Sequence, residues 1–194
     1  RRQRQMCIRD RFEISRMGLS RSFQISNLFP RLSVFDNLRC SVLWSLGYRY
    51  TFLRLLGGLD DANARTRELL EMVQLGHKRD VPAMQLTYAE QRALEIGVTL
   101  GSGASVILLD EPTAGMSHSE TEQCVALIRR VTEGKTLLMV EHDMGVVFDL
   151  ADRIAVMVYG ELIAFDAPDA VRANPQVQAA YLGALPDGLL AGGR

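Results

Sequence analysis

The sequence predicts an α/β fold with a mostly parallel sheet, and two apolar runs separated by a helical segment support this prediction. Residues 106–109 have the length and the branched side chains of a buried parallel strand. A second apolar run, Thr136–Val140, follows after a segment of helical length. The first run ends at Asp110 and Glu111, and His142 stands just after the second. Because open α/β sheets bind ligands at the carboxyl ends of their strands, we expect a functional site at this edge.

Length and composition fit one globular domain with a sizeable core. The chain has 194 residues, of which 47% are hydrophobic and 23% charged. Its formal net charge of −1 gives no electrostatic reason to expect nucleic acid binding, which usually requires a basic patch. The three cysteines, Cys7, Cys40 and Cys124, are widely spaced and indicate a reduced protein without a disulfide framework. The longest apolar candidate, residues 40–56, is interrupted by two arginines and is predicted to be amphipathic.

The first 11 residues, RRQRQMCIRDR, are strongly basic and have no periodicity that joins them to the rest of the chain. They are interpreted either as a disordered basic arm or as sequence that is not native to the protein. Because no starting methionine is present, we expect the natural chain to begin further upstream. The predicted fold therefore begins after these residues.

The middle of the chain, from about residue 31 to residue 100, has a helical pattern. Residues 65–76 place apolar side chains three and four apart, and Gly76 is predicted to end that helix. Thr87 and Glu90 have the spacing of a capping box, which predicts a helix from Tyr88 to about residue 99.

The predicted elements after the first apolar run follow the same rules. Ser117-x-x-Glu120 is a second capping box, which predicts a helix to about residue 130. A short helix at residues 144–151 and a hairpin of Ile154–Val158 with residues 161–165 come next. Further helix starts and ends are predicted from proline, capping and glycine signals, at Asp166 with Pro168, at Asn174 with Pro175, and at Gly183. Residues 185–194 are expected to be a poorly ordered tail.

The acid pair at the end of the first strand has the chemistry of a nucleotide-hydrolysing site. Asp110 can hold a hydrated Mg²⁺, and Glu111 can orient or deprotonate a water. A solvated turn explains the same pair, and a single histidine is more often a surface side chain. The helix that begins after Thr87 is either simply capped or provides an anion site at its N-terminus. Two neighbouring strands place ionisable side chains at the same edge of the predicted sheet, and this arrangement favours the hydrolytic interpretation.

Five motifs in a fixed order resemble those of ATP-binding cassette (ABC) ATPases. LLDEP, TAGMS and VEHDM are similar to the Walker B motif, the D-loop and the H-loop of that family. Residues 86–100, LTYAEQRALEIGVTL, resemble the signature motif with its helix, and residues 18–24 resemble the segment that ends in the Q-loop glutamine, Gln24. The resemblance covers roughly residues 14–184. NLFPRLSVFDN and VRANPQVQAAYLG are similar to the cassettes of branched-chain amino acid importers.

The resemblance implies a P-loop NTPase cassette of the ABC type, with a mostly parallel sheet and an inserted helical subdomain at about residues 31–100. The partial ATPase domain would occupy residues 12–184. The phosphate-binding motif G-x-x-x-x-G-K-[ST] is missing, because the GKT at residues 134–136 lacks the first glycine and precedes a strand. In the family this loop lies before the Q-loop, so we expect it before residue 1 and interpret the chain as a C-terminal fragment.

The family's functional residues can be carried over position by position, with ATP and Mg²⁺ as the implied cofactors. Glu111 would be the general base, His142 would contact the γ-phosphate and water, and Gln24 would approach the water and Mg²⁺ together with Asp110. The signature residues Thr87, Tyr88, Ala89 and Glu90 would act on the nucleotide of the opposite cassette. The D-loop residues Ala114, Gly115, Met116 and Ser117 would also belong to the nucleotide-binding residues.

Three of these positions depart from the family pattern. Most members have Ser at the position of Thr87 and Gly at that of Ala89, while Ser117 replaces an Asp or Asn. The Cβ of Ala89 leaves less room for the backbone to approach phosphate, so impaired ATP hydrolysis is one expectation.

The resemblance implies an ATPase subunit, bound peripherally at the cytoplasmic face of the membrane, of an importer for branched-chain amino acids or similar solutes. Its expected partners are a second cassette, transmembrane permease subunits and, indirectly, a solute-binding protein, with no nucleic acid. The fragment alone is expected to be inactive. One alternative is a catalytically impaired, regulatory cassette. Another is a soluble cassette protein of DNA repair or translation, which the short helical region and the near-neutral charge disfavour.

Overall fold

A computed structural model describes residues 19–21, 28–48 and 58–182. The chain forms two compact units, one ending at Glu141 and one beginning at His142.

A parallel sheet of three strands lies in the first unit. It consists of β1 (Leu19–Arg21), β2 (Val106–Asp110) and β3 (Thr136–Val140), in that order across the sheet. Val106 pairs with Thr136 and Asp110 with Val140, so β2 and β3 end side by side. Ile107 and Leu109 are buried, as expected for the predicted buried strand. The predicted α/β class and both predicted strands are confirmed.

Three helices pack together in the first unit and contribute a large part of its core. α1 (Val34–Ser45) packs against α2 (Asp60–Met72) and α3 (Tyr88–Gly101). α3 approaches α1 closely because it has no Cβ at two positions one turn apart. A Cβ at Gly97 would lie 2.7 Å from a methyl of Leu38, and one at Gly101 would overlap the hydroxyl of Ser41. The fully buried side chains of the three helices include Val34, Leu38, Val42, Leu69 and Leu94.

The predicted C-terminus of α2 is wrong by two residues, because the left-handed residue that ends the helix is Gln74 and not Gly76. The helix ends at Met72, and Gly76 begins a separate short 3₁₀ turn, Gly76–Lys78. Gln74 takes the left-handed conformation, with φ 59°, that the prediction assigned to glycine. The N–H of Gln74 donates to the carbonyl of Glu71 and that of Leu75 to the carbonyl of Leu70, which is the bonding of a Schellman motif. Two backbone hydrogen bonds therefore stabilise a conformation that glutamine rarely adopts.

α4 (His118–Val131) follows β2 and runs to the start of β3. Its amphipathic face buries Val125, Ile128 and Val131 in the first unit. Near its end Arg130 donates from Nη2 to the carbonyl of Met72 at 2.7 Å, which satisfies a carbonyl in the last turn of α2.

In its described residues, 142–182, the second unit consists of short helices and one hairpin. α5 (Met144–Leu150) precedes β4 (Ile154–Val158) and β5 (Glu161–Asp166), which pair antiparallel. α6 (Pro168–Ala173) and α7 (Pro175–Leu182) complete it. The predicted start of α6 is corrected, because Ala167 is the N-cap and Asp166 is the last residue of β5. The core of this unit consists of Ile154, Val156, Val171 and Val177.

Several predictions concern residues outside the described ranges, namely the first 11 residues, Gln24, Gly183 and residues 185–194. Within the described ranges, no helix combines the length and the apolar character needed to cross a membrane.

Candidate functional site

The turn after β2 begins with a residue in an uncommon backbone conformation. Glu111 has φ 43°, in the left-handed region that a non-glycine residue rarely occupies. Its N–H donates to the carbonyl of Val140 at 2.9 Å and so continues the ladder between β2 and β3. Its carbonyl accepts from Nη2 of Arg92 at 3.2 Å. Strained conformations of this kind persist where surrounding contacts hold them and cluster at functional sites.

Arg92 is a buried guanidinium, 8% exposed, on α3. It forms an ion pair with Glu95, with 2.8 Å between Nη1 and Oε2. Burial by itself lowers the pKa of Arg92, but the hydrogen bond and the charge of Glu95 outweigh burial, so the pKa lies above its ordinary value. The charged side chain therefore joins α3 to the backbone of Glu111.

The next part of the turn is held from the end of β3. Glu141 accepts two hydrogen bonds from buried Thr113 at Oε1, one from its N–H at 3.0 Å and one from its hydroxyl at 2.6 Å. Burial raises the pKa of the Cys124 thiol to about 11, so this thiol stays protonated and lies 3.9 Å from the carbonyl of Pro112. Residues 111–113 thus contact α3, α4 and the end of β3.

The N-terminus of α3 carries the predicted capping box. The hydroxyl of Thr87 accepts from the N–H of Glu90 at 3.4 Å, and the Glu90 carboxylate accepts from the N–H of Thr87 at 2.9 Å. Lys78 also donates to this carboxylate, 2.7 Å from Oε2 and 2.6 Å from Oε1. Burial raises the pKa of Glu90, but the hydrogen bonds from Lys78 and Thr87 together outweigh it and the pKa lies below its ordinary value. The first turn of α3 therefore holds a charged carboxylate.

Tyr88 connects the first turn of α3 to the same turn after β2. Its hydroxyl donates to the carbonyl of Ala114 at 2.9 Å, across 26 residues of sequence. The following residue, Gly115, has φ 77°, and a Cβ there would lie 3.9 Å from the Tyr88 ring. Glycine therefore supplies the backbone conformation that the turn needs, with the ring alongside it.

The second predicted capping box is confirmed at α4. Ser117 accepts from the N–H of Glu120 at 3.4 Å, and Glu120 accepts from the N–H of Ser117 at 2.9 Å and from its hydroxyl at 2.6 Å. The side-chain and backbone hydrogen bonds to Ser117 lower the pKa of the exposed Glu120 carboxyl.

A cavity of about 200 Å³ lies between the starts of α3 and α4 and the end of α2. Its lining residues include Ala89, Glu90, Met116, Glu120 and Cys124.

Comparison with known proteins identifies the family. A family model described as ABC transporter matches residues 2–114, and one described as branched-chain amino acid ATP-binding cassette transporter matches residues 161–184. The chain is 33% identical to the high-affinity branched-chain amino acid transport ATP-binding protein LivG of Escherichia coli, over 88% of this chain and 70% of LivG. The protein BraF of Pseudomonas aeruginosa shows the same identity and coverage. The chain belongs to the ABC transporter family.

Solved structures agree with this fold. The ABC transporter subunit cbiO1 of Clostridium perfringens superposes with a TM-score of 0.69 at 25% identity, covering 91% of this chain and 68% of cbiO1. A nucleotide-free ATP-binding cassette from an ABC transporter superposes with a TM-score of 0.72 at 22% identity, covering 89% of this chain and 72% of that one. The P-loop cassette fold predicted from the sequence is thereby confirmed.

The first unit brings together the two segments that the sequence predicts to be the signature and the D-loop. Tyr88 touches Ala114, and Ala89, Glu90 and Met116 line one cavity. Asp110 and Glu111 lie at the end of β2, beside Val140. The predicted site residue Gln24 lies outside the described residues, and His142 is an exposed residue at the start of the second unit.

Sequence reasoning did not identify four residues that hold this site: Lys78, Arg92, Thr113 and Glu141. For two of them, the sequence contains a pattern that could have indicated their role. Arg92 stands four residues after Tyr88, so both project from one face of α3. Glu141 directly follows the last residue of β3 and directly precedes His142, which was itself predicted as a site residue.

Proposed function

We propose that this chain is the ATP-hydrolysing subunit of an importer for branched-chain amino acids, working as a peripheral subunit at the cytoplasmic face of the membrane. The observation that carries the proposal is the placement of Glu111, which follows the end of β2 in a left-handed conformation bonded to Val140 and Arg92. A carboxylate fixed at that edge can orient an attacking water and take its proton. The names of LivG and BraF support the solute class.

Asp110 is proposed to hold Mg²⁺, and the donor set fits that ion. Mg²⁺ usually keeps several waters and is bound through one or two carboxylates together with substrate phosphates. Asp110 supplies one carboxylate beside β3, and the described residues contain no cluster of three ionisable side chains that would form a metal cage by themselves. The ion would neutralise charge on the phosphates. Gln24 and His142 are proposed to contact the same ion and the γ-phosphate, respectively.

The signature residues are proposed to face the nucleotide of a second cassette. The N-terminus of α3 presents the hydroxyl of Thr87 and the backbone of Tyr88, Ala89 and Glu90, and helix N-termini attract phosphate. Ala89 lies within the first turn of α3, so its Cβ is compatible with the helical backbone there. The D-loop residues 114–117 are proposed to lie against the same partner.

An exposed apolar surface on the helical part of the first unit is proposed to meet the permease subunit. Phe29, Leu32 and Met84 are 55%, 38% and 64% exposed. Their segments are joined by backbone hydrogen bonds, from Ala83 to Leu32 at 3.0 Å and from Met84 to Pro30 at 3.0 Å. Apolar side chains grouped in this way mark interaction surfaces. The solute-binding protein would act on the permease and not on this chain.

The test is the change of Glu111 to Gln in the complete protein assembled with its permease. Removing a general base typically lowers the rate about 10²- to 10⁴-fold, and the amide should leave nucleotide binding intact. Phosphate release and nucleotide binding are measured together. Glu133→Gln serves as the matched control, since Glu133 is exposed and lies between α4 and the first residue of β3, at the opposite end of that strand from Val140. Near-normal turnover in Glu111→Gln would reject Glu111 as the base.

A regulatory cassette is the second candidate, and one observation favours it. The charged Glu90 carboxylate already accepts the N–H of Thr87 at the helix end where phosphate would bind. Negative charge there opposes an incoming phosphate, although Lys78 offsets part of it. An assembled parent protein that binds nucleotide and dimerises but releases no phosphate would select this candidate.

A further inference from the structure

The side chain of Tyr88 lies within its own chain and contacts the turn that carries Glu111. Its hydroxyl donates to the carbonyl of Ala114 at 2.9 Å, and its ring lies beside Gly115. Half of the side chain is exposed, at 50%, so the ring is not a core residue of the first unit. Packing in the core therefore does not account for its position.

Arg92 provides a second contact from the same face of α3. It stands one helical turn after Tyr88, and its Nη2 donates to the carbonyl of Glu111 at 3.2 Å. Tyr88 and Arg92 thus hold two carbonyls of one turn, three residues apart, from a single rigid helix. A third hydrogen bond inside the turn, from the N–H of Ala114 to the carbonyl of Glu111 at 3.2 Å, joins those two points.

We infer that Tyr88 is a positioning residue for hydrolysis: its hydroxyl fixes the backbone of residues 111–115 and so places the Glu111 carboxylate. The inference rests on the proposed ATPase function. Because Glu111 is held in an uncommon backbone conformation, removing a neighbouring hydrogen bond lets the turn relax towards commoner conformations. The carboxylate would then spend less time in the position from which it acts on water.

This arrangement also links the signature segment to the chain's own hydrolytic site. Any displacement of the first turn of α3 moves the Tyr88 hydroxyl, and the carbonyl of Ala114 is bonded to it. A ligand that engages the N-terminus of α3 would therefore affect the turn at Glu111 in the same chain. The hydroxyl acts through the backbone, so its removal should change the rate of hydrolysis and leave the apparent affinity for ATP unchanged.

The experiment compares Tyr88→Phe with Tyr159→Phe in the complete protein assembled with its permease. Phenylalanine keeps the ring beside Gly115 and removes only the hydroxyl. Tyr159, in the turn between β4 and β5, is fully exposed and is the matched control. We expect Tyr88→Phe to lower kcat about 3- to 10-fold, the effect of one neutral hydrogen bond, with KM for ATP and Tm equal to those of the control. Hydrogen exchange at the amides of residues 113–117 should become faster.

Each other result rejects the inference. An unchanged kcat, or unchanged exchange in residues 113–117, shows that the hydroxyl does not position the turn. A higher KM with unchanged kcat shows that it binds nucleotide directly, and a lower Tm that accounts for the reduced turnover shows a purely structural role. If the parent and the control both release no phosphate, the ATPase proposal fails by itself, and the exchange data alone then decide whether Tyr88 holds the turn.

Discussion

The starts of α3 and α4 have the same local motif in different surroundings. Thr87 with Glu90 and Ser117 with Glu120 form capping boxes whose corresponding hydrogen bonds have equal lengths, 3.4 Å to the hydroxyl and 2.9 Å to the carboxylate. Their surroundings differ. The start of α3 is bonded to Lys78 and to the turn after β2, whereas Glu120 is bonded to its own cap.

The difference shows that a capping box fixes where a helix begins but not what the helix end does. At α3 the same hydrogen bonds are supplemented by contacts that cross 12 to 26 residues of sequence. Those contacts join the helix to the end of β2, where the two acids lie. Of the two helix starts, that of α3 is therefore the one at which a substitution should affect both protein stability and the proposed site.

The largest loss of stability is expected from replacing Arg92, which is buried. Arg92→Met leaves the Glu95 carboxylate and the carbonyl of Glu111 without their buried partner. Losing one partner of a buried ion pair should lower the free energy of unfolding by about 3 kcal/mol. Urea unfolding followed by the fluorescence of Trp44, the sole tryptophan and a residue of α1, measures the first unit.

The control for this change is Arg67→Met on α2, where the arginine is exposed. Surface substitutions usually change stability by less than about 0.5 kcal/mol. If both variants unfold at the same urea concentration, Arg92 contributes no more than a surface arginine, and the link from α3 to Glu111 is not a stabilising one.

The next prediction compares the two carboxylates directly. Glu90→Gln removes the charged partner of Lys78 and should cost about 1 kcal/mol, because a partly exposed ion pair is weakened by solvent. Glu120→Gln should cost less, since its carboxylate is exposed and has no cationic partner in its capping box. The same Trp44 unfolding assay measures both variants. Equal losses would show that Lys78 adds nothing to the α3 box.

The pH dependence of the Glu90 effect has a defined direction. The pKa of Glu90 is lowered in the folded protein from its ordinary value of 4.5, so the unfolded chain takes up the proton first as the pH falls. The stability from this carboxylate is therefore complete above about pH 5.5 and is lost below about pH 4.5 as the pH falls through the folded-state pKa. The stability difference between parent and Glu90→Gln should shrink over that range. A difference that stays constant to about pH 3 would contradict this assignment.

The sequence allowed the capping boxes to be predicted because all their partners lie within four residues. The strands β2 and β3 were predictable for a similar reason, since their apolar runs are continuous. The contacts of Tyr88 with Ala114, of Arg92 with Glu111 and of Thr113 with Glu141 join residues 26, 19 and 28 positions apart. Such pairs depend on how helix and sheet pack, and no local pattern encodes them.

Two backbone details also escaped prediction, and both involve left-handed residues that are not glycine. Gln74 and Glu111 take φ values of 59° and 43° because backbone hydrogen bonds hold them. The end of α2 was predicted at Gly76 because glycine is preferred just after a helix and no glycine lies nearer to Met72. At Glu111 the same kind of exception falls on the proposed base, where a strained residue is most informative about function.

The smallest effect is expected at the caps themselves. Thr87→Ala and Ser117→Ala each remove one exposed hydroxyl that accepts at 3.4 Å, and each should cost about 0.5 kcal/mol, at the low end for N-caps. The Trp44 unfolding assay should find the two losses equal. A clearly larger loss for Thr87→Ala would mean that this hydroxyl makes a further contact in the folded chain.

Equal stability losses would make the pair a controlled test of what the α3 terminus does in hydrolysis. Both variants would then be equally folded, so a turnover that falls further in Thr87→Ala than in Ser117→Ala could not come from stability. It would come from the place of the hydroxyl at a helix N-terminus that attracts phosphate. Turnover in Thr87→Ala equal to that of the parent protein would instead assign Thr87 to capping alone, and the proposed contact with nucleotide would rest on the backbone of α3.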